Sequence, residues 1–450
     1  MNKITEKTKK IIDLEQEIMS YTTRIPYFPL VVSEAKGCIV KDIEGNRFVD
    51  FFSSAAAINV GHNHPRVVNA IKAQLDKFIH YTPAYVYHQP HTELAKKLCE
   101  ITPCSYKKRV AFGLSGSSSI DGAIKVARSY SKRNLFISFF RSYHGTTIGA
   151  TSVSGISVNM RKNMGSLNSG VYFAPYPDCY RCKYDKKFPS CNLKCFQEFE
   201  ELFDMILSPD EIAAVILETI QGDAGIIVPP NQFYERLQEF CQKHGILIIA
   251  DEIQTGFGRT GKWFATNHFS LQPDIVVVGK AIASGLPLSG IIARKEIMES
   301  WEAPAFFFNA AGNPLSCVAA LETIKIIEDE KLLKNAKNQG KKLMKRFENM
   351  KVKFNCVGDI RGKGLLIGVD IVEDKKSKKR DRKKAAKISW RCWEKGLIQT
   401  FLSGSVLRVI PPLTITEEEI NKGADIIEET IEDVEKGKIS DKVLKKIKGW

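Results

Sequence analysis

The sequence lacks long hydrophobic runs. Its most apolar stretches, such as AAVILETI and GILIIA, have the length of a β-strand, whereas a membrane-spanning helix needs roughly 20 apolar residues. The N-terminal stretch MNKITEKTKKIIDLEQEIMSY is rich in charged residues and contains no apolar segment of signal-peptide length. We therefore expect a cytoplasmic protein with no membrane partner.

The cysteines do not follow the pattern of a secreted disulfide framework. The chain has 11 of them, an odd number, and most are far apart, which favours reduced thiols. One group has the spacing C-x2-C-x8-C-x3-C in a lysine-rich stretch, and its members are Cys179, Cys182, Cys191 and Cys195. This spacing resembles a structural zinc or iron–sulfur site. A surface insertion with incidental or disulfide-paired cysteines is the alternative.

Acidic residues are outnumbered by basic ones, 51 to 66, and the 450-residue chain has a formal net charge of +15. Such an excess can indicate a nucleic-acid partner. Between Lys375 and Lys387, however, nine basic residues stand against one acid, so this stretch holds more than half of the excess. It contains no aromatic residue that would stack on bases. We interpret it as an exposed loop leading into a helix and expect no nucleic-acid partner.

Short apolar runs alternate with helical patterns from about Gly61 to Ser284, which is typical of βαβ units and a mostly parallel sheet. After Pro314 the pattern changes to long amphipathic helices and short strands. We predict an α/β protein whose large domain has helices on both faces of a mostly parallel sheet, with a smaller α+β domain. The predicted bounds are 1–60 for an N-terminal segment packing with the small domain, 61–320 for the large domain and 321–450 for the small domain.

Three consecutive strand patterns end on or next to an ionisable residue. AAVILE ends at Glu218, ILIIAD at Asp251, and DIVVVGK at Lys280. Right-handed crossovers would bring these residues to one edge of the sheet, where open parallel sheets bind ligands. A lysine in an apolar crevice is favoured as a neutral amine and can form a Schiff base with an aldehyde.

Two further features fit the same ligand. A buried carboxylate at Asp251 would keep a pyridinium nitrogen protonated, although a helix cap or turn aspartate is the alternative. The small residues Gly116 and Ser117 precede a helical pattern, and the N–H groups of a helix start can hold a phosphate, although serine-rich helix starts are common without a ligand. An aldehyde-binding lysine, a pyridinium partner and a phosphate site together describe pyridoxal phosphate (PLP).

The chain resembles the class III aminotransferase family of fold type I PLP enzymes over nearly its whole length. The supporting stretches are, in order, DIEGNRFVDFF, NVGHNHPRVVNAI, SGSSSIDGAIKVAR, SYHG, LETIQGDAGI, ADEIQTGFGRTG, VVVGKAIASGLPLSG, AGNPLSC and LRVIPPLTIT. This resemblance implies that Lys280 forms the internal aldimine with PLP and that Asp251 binds the pyridine nitrogen. It also implies that Gln254 reaches the ring hydroxyl and that Tyr143 stacks on the ring.

The resemblance further implies a phosphate site at Gly116 and Ser117. In the family this site is completed by a threonine of the neighbouring subunit, and here Asn309 stands at that position. A shared site implies a homodimer or a tetramer. Ser118 replaces an acidic residue that the family usually has.

For the substrate, the resemblance implies that Arg408 in VLRVIPPL clamps the carboxylate of a small amino acid. Glu218 is also assigned to the substrate-binding residues, and the usual Glu-Pro pair of the family reads Glu218-Thr219 here.

Within the family the chain is most similar to the amino-acid racemases and isoleucine 2-epimerase-like members, through SSAAAINVGH, IHYTPAYVYHQP, LETIQGDAGII and the terminal KIKGW. Both racemisation and transamination begin when Lys280 removes the α-proton, which gives a planar quinonoid. Racemisation then needs a proton on the opposite face, most easily from a second acid/base. Asp223 in QGDAG is the candidate, where typical aminotransferases have QGEGG; a role as a loop cap is the alternative.

We therefore predict a PLP-dependent racemase or epimerase that interconverts L- and D- (or allo-) amino acids. Neutral or apolar substrates are expected, since an apolar wall would come from Ala56, Ile58, Tyr85 and Tyr87. The alternative is a class III aminotransferase, of the 4-aminobutyrate or acetylornithine type or with a broad range of donors, that transfers an amino group to a 2-oxo acid.

Overall fold

A computed structural model describes residues 4–168, 170–447 and 449 of the chain. Lys448 and Trp450 of the KIKGW stretch lie outside the described residues. Contacts between residues divide the chain into two compact units: one contains the chain up to His64 and from Lys334 onward, and the other is Pro65–Leu333. The domain bounds expected from the sequence, 1–60, 61–320 and 321–450, stay predictions.

The α-helices and β-strands are numbered in chain order. The helices are α1 Glu6–Ile18, α2 Ser53–Ala56, α3 Pro65–Leu75, α4 Gln89–Ile101, α5 Gly116–Ser131, α6 Ile148–Ser152, α7 Lys194–Met205, α8 Asn231–His244, α9 Lys295–Met298, α10 Pro314–Asp329, α11 Leu332–Lys353, α12 Arg382–Glu394 and α13 Glu417–Glu435. None of these helices has both the length and the apolar character needed to cross a membrane.

The strands are β1 Val32–Lys36, β2 Ile39–Asp42, β3 Arg47–Asp50, β4 Lys108–Gly113, β5 Leu135–Phe139, β6 Val171–Ala174, β7 Ile212–Glu218, β8 Leu247–Asp251, β9 Ile275–Val278, β10 Ser289–Arg294, β11 Val357–Lys363, β12 Leu366–Ile371, β13 Leu397–Ile398, β14 Thr400–Leu402 and β15 Val406–Val409. In the unit Pro65–Leu333 they form a seven-stranded sheet in the order β4-β10-β9-β8-β7-β5-β6. The β9-β8-β7-β5-β6 part is parallel, and β10 runs antiparallel to both of its neighbours.

Both faces of this sheet are covered, which explains why its central strands are apolar without interruption. Every residue of β7 is buried, as expected for a parallel strand between two layers of helices. Successive residues point to opposite faces: Val215 and Leu217 pack in one core with Phe233 of α8, whereas Ala214 and Ile216 pack in the other with helix α5. The predicted α/β architecture with a mostly parallel sheet is confirmed.

The other unit contains two smaller sheets. One is antiparallel, in the order β11-β12-β15-β14, and the second has the order β1-β2-β3-β13. Helix α12 packs against α13 and is preceded by the basic stretch. Asp381 caps α12 by accepting a hydrogen bond from the Lys384 backbone at 2.8 Å, so this stretch is a loop leading into a helix, as predicted. Its charges are partly balanced locally, because Lys387 forms an ion pair with Asp441.

Candidate active site

A cavity of about 150 Å³ lies at the carboxyl ends of β7, β8 and β9. This is the edge where parallel sheets usually bind ligands. Most of the predicted cofactor residues line it together, and so do Asp223 and Glu218. Its lining consists of Gly116, Ser117, Tyr143, His144, Gly145, Glu218, Asp223, Asp251, Ile253, Gln254, Thr255 and Lys280.

Asp251 is held in place at the floor of the cavity. It ends β8 and is buried. Its Oδ2 lies 2.7 Å from His144 Nδ1, and its Oδ1 accepts a hydrogen bond from the Ile253 backbone at 3.0 Å. A buried carboxylate is costly unless it is hydrogen-bonded, and these two partners fix its orientation. His144 was not among the residues predicted from the sequence, although its position in SYHG, next to Tyr143, was a usable signal.

The start of helix α5 lines one side of the cavity, where the sequence predicts the phosphate site. Ser115 caps this 16-residue helix, and its Oγ accepts a hydrogen bond from the Ser118 backbone at 3.3 Å. The Ser118 hydroxyl in turn accepts from the backbones of Leu114 at 3.2 Å and Ser115 at 3.1 Å. Ser118 thus completes a capping box, which explains how a hydroxyl serves where the family usually has an acidic residue.

Replacing Ser118 by alanine is expected to lower the free energy of unfolding by about 1 kcal/mol. The backbone N–H groups of Leu114 and Ser115 both lose the hydroxyl that accepts their hydrogen bonds. Chemical denaturation of the cofactor-free protein measures this change. Ser131→Ala is the matched control at the other end of α5, where the hydroxyl donates to the Ala127 carbonyl at 2.8 Å. Equal decreases in the free energy of unfolding in Ser118→Ala and Ser131→Ala would contradict a capping role for Ser118.

Two glycines let the backbone approach closely around Ser117. A side-chain carbon on Gly116 would lie 2.8 Å from Ile253 Cδ1, and one on Gly145, whose φ is +127°, would overlap the Ser117 side chain. The Ser117 hydroxyl accepts a hydrogen bond from the Thr146 backbone at 3.1 Å. Small residues at a helix N-terminus make the cradle that an anionic group such as a phosphate needs.

Gln254 carries a buried side-chain oxygen whose partner is missing among the described residues. Its Oε1 is shielded from solvent and accepts no hydrogen bond. A side-chain carbon on Gly222 would overlap this oxygen, so glycine at position 222 leaves the room that Gln254 occupies. Buried polar atoms in proteins are rarely left unsatisfied, and an acceptor on the cavity wall fits a ligand hydroxyl.

Lys280 lies half-buried two residues beyond the end of β9. Its backbone has a φ of +44°, in the left-handed region, which costs a non-glycine residue on the order of 1 kcal/mol. Such strain is common at functional sites. The lysine therefore sits in a backbone conformation fixed by its surroundings rather than by its own preference.

Three carboxyl groups, those of Glu218, Asp223 and Asp251, line one side of the cavity. Burial, followed by the nearby Asp251 charge, raises the pKa of Glu218 to about 8, with a further contribution from Asp223. Burial and the negative charges of these three groups also raise the pKa of the Tyr143 hydroxyl. A ligand that brings a positive charge, such as a pyridinium or an amino group, would relieve this unfavourable interaction between the carboxyl groups.

Some predicted site residues do not line this cavity. Asn309 is exposed on its own chain, and Tyr85 and Tyr87 are exposed as well. Arg408 lies on β15 in the other unit, where its Nε donates to Thr400 Oγ1 at 3.3 Å and its guanidinium lies 5.0 Å from the centre of the Phe52 ring. The roles assigned to these residues stay predictions.

The four clustered cysteines line a separate cavity of about 380 Å³. All 11 cysteines are free thiols, so the disulfide alternative is not what this structure contains. Burial and neighbouring cysteines raise the pKa of Cys179 and of Cys195 to about 11. Within the described ranges, no three Cys, His, Asp or Glu side chains are grouped so that they could hold a metal ion. The predicted zinc or iron–sulfur site at Cys179, Cys182, Cys191 and Cys195 is therefore unsupported.

The family model described as aminotransferase class-III matches residues 20–431. The chain belongs to the class III aminotransferase family. It is 45% identical to the leucine/methionine racemase of Thermococcus litoralis over 99% of this chain and 100% of that protein. It is 40% identical to the isoleucine 2-epimerase of Lentilactobacillus buchneri, with 97% of each chain covered. The PLP-bound amine transaminase of an uncultivated Pseudomonas species superposes with a TM-score of 0.83 at 31% identity, covering 90% of this chain and 94% of that one.

The class III relationship confirms the fold type I PLP enzyme expected from the sequence, and the racemase and epimerase resemblance with it. The cavity fits the cofactor independently. Gln254 offers an unsatisfied acceptor. Gly116 and Gly145 leave room at the start of helix α5, and His144 orients Asp251. The sequence analysis did not assign Ile253, which packs under Gly116 and lies between two assigned residues in ADEIQTG.

Proposed function

We propose that the chain is a PLP-dependent amino-acid racemase or epimerase that acts on neutral or apolar amino acids. The observation that carries the proposal is that Asp223 lines the same cavity as Lys280. Two groups that can exchange a proton are thus available at one site. The racemase and epimerase relatives, more similar than the transaminase, support the same assignment.

Bound PLP would withdraw electrons from the α-carbon of the amino acid and so acidify its α-proton. The residues of this chain supply the rest. Lys280 moves the proton on one face of the α-carbon, and Asp223 moves it on the other. Asp251, oriented by His144, would hold the pyridine nitrogen protonated, and Ser117 with the start of α5 would bind the phosphate.

The decisive experiment uses a single L-amino acid, such as leucine, in deuterated water without any 2-oxo acid. A racemase produces the D-isomer carrying deuterium at the α-carbon, because both bases exchange protons with solvent. Chiral chromatography and NMR measure both products. If no reaction occurs until a 2-oxo acid is added, the chain is an aminotransferase and the racemase proposal is wrong.

We also propose that the active enzyme is at least a homodimer, in which Asn309 completes the phosphate site of the partner subunit. Large apolar side chains between Leu75 and Tyr87 are exposed on the isolated chain; they are Leu75, Phe78, Ile79, Tyr81, Tyr85, Val86 and Tyr87. An exposed apolar patch of this kind usually marks an interface. Tyr85 packs against Phe307, near Asn309, with the ring centres 5.9 Å apart.

A cytoplasmic location completes the proposal. All 11 cysteines are free, and free thiols persist in reducing compartments. The small amino-acid substrate proposed here would be available there.

A further inference from the structure

We propose that Glu218 is a positioning residue, whose carboxyl group bridges the Tyr143 backbone and the loop that carries Asp223, and so fixes these two groups relative to each other. The inference rests on the proposed function, because racemisation needs the second base, Asp223, at a defined place in the site. Glu218 takes this role instead of the substrate contact expected from the sequence.

The bridge is built from two hydrogen bonds, one to each oxygen of the carboxyl group. Oε1 accepts from the Tyr143 backbone at 2.9 Å, and Oε2 accepts from the Gly222 backbone at 2.8 Å. Tyr143 and Gly222 belong to different loops, which follow β5 and β7. A single buried side chain therefore connects the cofactor-stacking tyrosine to the residue immediately before Asp223.

Glu218 is itself firmly held. It ends β7, pairs in register with Asp251 of β8, and is buried. Its backbone carbonyl accepts a hydrogen bond from the Tyr176 hydroxyl at 2.8 Å. Because the main chain cannot shift easily, the reach of the side chain determines where the Gly222 N–H lies.

The loop that Glu218 holds is short and closed. Gln221 and Ile227 exchange two backbone hydrogen bonds, of 3.1 and 2.9 Å, across its base, and the Gly222 carbonyl accepts from Gly225 and Ile226, each at 3.0 Å. The loop can therefore move as a unit about its base. The bond from Gly222 to Glu218 opposes such movement close to Asp223.

A carboxyl group is a costly choice at this position. Glu218 is buried beside Asp223 and Asp251, which is why its pKa is raised. A residue needed only to fill space would avoid a third carboxyl here. The two N–H groups that it accepts from give a specific reason for its presence, since glutamate can accept from both at once and few other side chains of this size can.

The test is Glu218→Gln, which keeps the size of the side chain but offers one oxygen, so one of the two N–H groups faces an NH₂ group. We expect the rate of inversion to fall about a hundredfold, as for a displacement of about 1 Å at a reacting group. Exchange with retention, for the enantiomer that Lys280 deprotonates, should fall less than about tenfold. Each enantiomer is incubated separately in deuterated water, and inversion and exchange are followed by chiral chromatography and NMR.

A second readout does not depend on activity. Amide hydrogen exchange of peptides covering residues 219–227 is expected to be at least about tenfold faster in the Glu218→Gln apoenzyme, because the Gly222 N–H has lost its acceptor. Peptides from β5 should be unchanged. Glu218→Asp, whose side chain is one methylene shorter and cannot span both N–H groups, should behave like Glu218→Gln and replaces it if that variant does not fold.

Glu252→Gln is the matched control. Glu252 is also a buried carboxyl that bridges backbone N–H groups, accepting from Ala265 at 3.0 Å and Thr266 at 2.8 Å. The Glu252→Gln substitution should lower the free energy of unfolding but leave the ratio of the inversion rate to the exchange rate unchanged. A wild-type ratio in Glu218→Gln, or an equal fall in inversion and exchange, would overturn the positioning role. If the wild-type enzyme itself shows no inversion, the proposed function fails, and amide exchange alone then decides whether Glu218 holds the loop.

Discussion

Replacing Lys280 by alanine is expected to abolish the absorption band of the aldimine between this lysine and the cofactor, and to lower the rates of inversion and α-deuterium exchange by about 10⁴-fold. Lys280 is the only lysine that lines the described cavity, so no neighbouring amine can replace it in the bond to the cofactor aldehyde. The same amine moves the α-proton on one face, and its removal therefore affects both enantiomers. Absorption spectra and the deuterium experiment measure the two losses.

Lys295→Ala is the control for Lys280→Ala. Lys295 is the exposed first residue of α9, directly after β10, and forms an ion pair with Glu299. This variant should keep the colour and the activity of the wild type. If Lys280→Ala kept this absorption band and its activity, another amine would have to bind the cofactor, and the assignment of the whole site would be wrong.

The core of the site could be predicted from the sequence because strand ends are visible in the pattern of apolar residues. A run such as ILIIAD fixes where a buried parallel strand stops, and right-handed connections bring successive strand ends to one edge. Glu218, Asp251 and Lys280 do line one cavity. The helix start at Gly116 follows the same logic, since small residues before an amphipathic pattern mark a helix N-terminus.

Contacts between distant loops could not be predicted in this way. His144 reaches Asp251 across 107 positions of sequence, and the hydrogen bond from the Tyr143 backbone to Glu218 joins the loop after β5 to the end of β7. Neither pair has a periodic pattern or a fixed spacing. Such contacts depend on how loops of different length fold over the end of the sheet, which requires the three-dimensional structure.

The cysteines show what residue spacing leaves open. The spacing from Cys179 to Cys195 is regular enough to suggest a metal, and the four side chains do line one cavity. Spacing alone, however, does not determine whether side chains converge on one point, because that depends on the conformation of the residues between them. Within the described chain no such ligand group is formed there, so a metal at these cysteines stays a prediction.

The Asp223→Ala variant is expected to lose inversion by about 10² to 10⁴-fold while keeping the absorption of the bound cofactor. Asp223 lines the cavity but does not belong to the residues that hold the cofactor in our assignment. Its removal should therefore take away the proton on one face and leave the action of Lys280 on the other. The enantiomer that Lys280 deprotonates should still exchange its α-proton with retention, whereas formation of the opposite isomer should nearly stop.

Two further variants at position 223 distinguish the loss of a proton-transferring group from a change in the size or position of the side chain. Asp223→Asn keeps the size of the side chain but cannot move a proton, so it should behave like Asp223→Ala. Asp223→Glu keeps the carboxyl but displaces it by one methylene, to the residue found in the QGEGG loop of typical aminotransferases, and should retain only part of the inversion. Loss of cofactor absorption in Asp223→Asn would mean that the residue is structural. Undiminished inversion would mean that a group other than Asp223 serves the second face, since racemisation requires a proton to be delivered there.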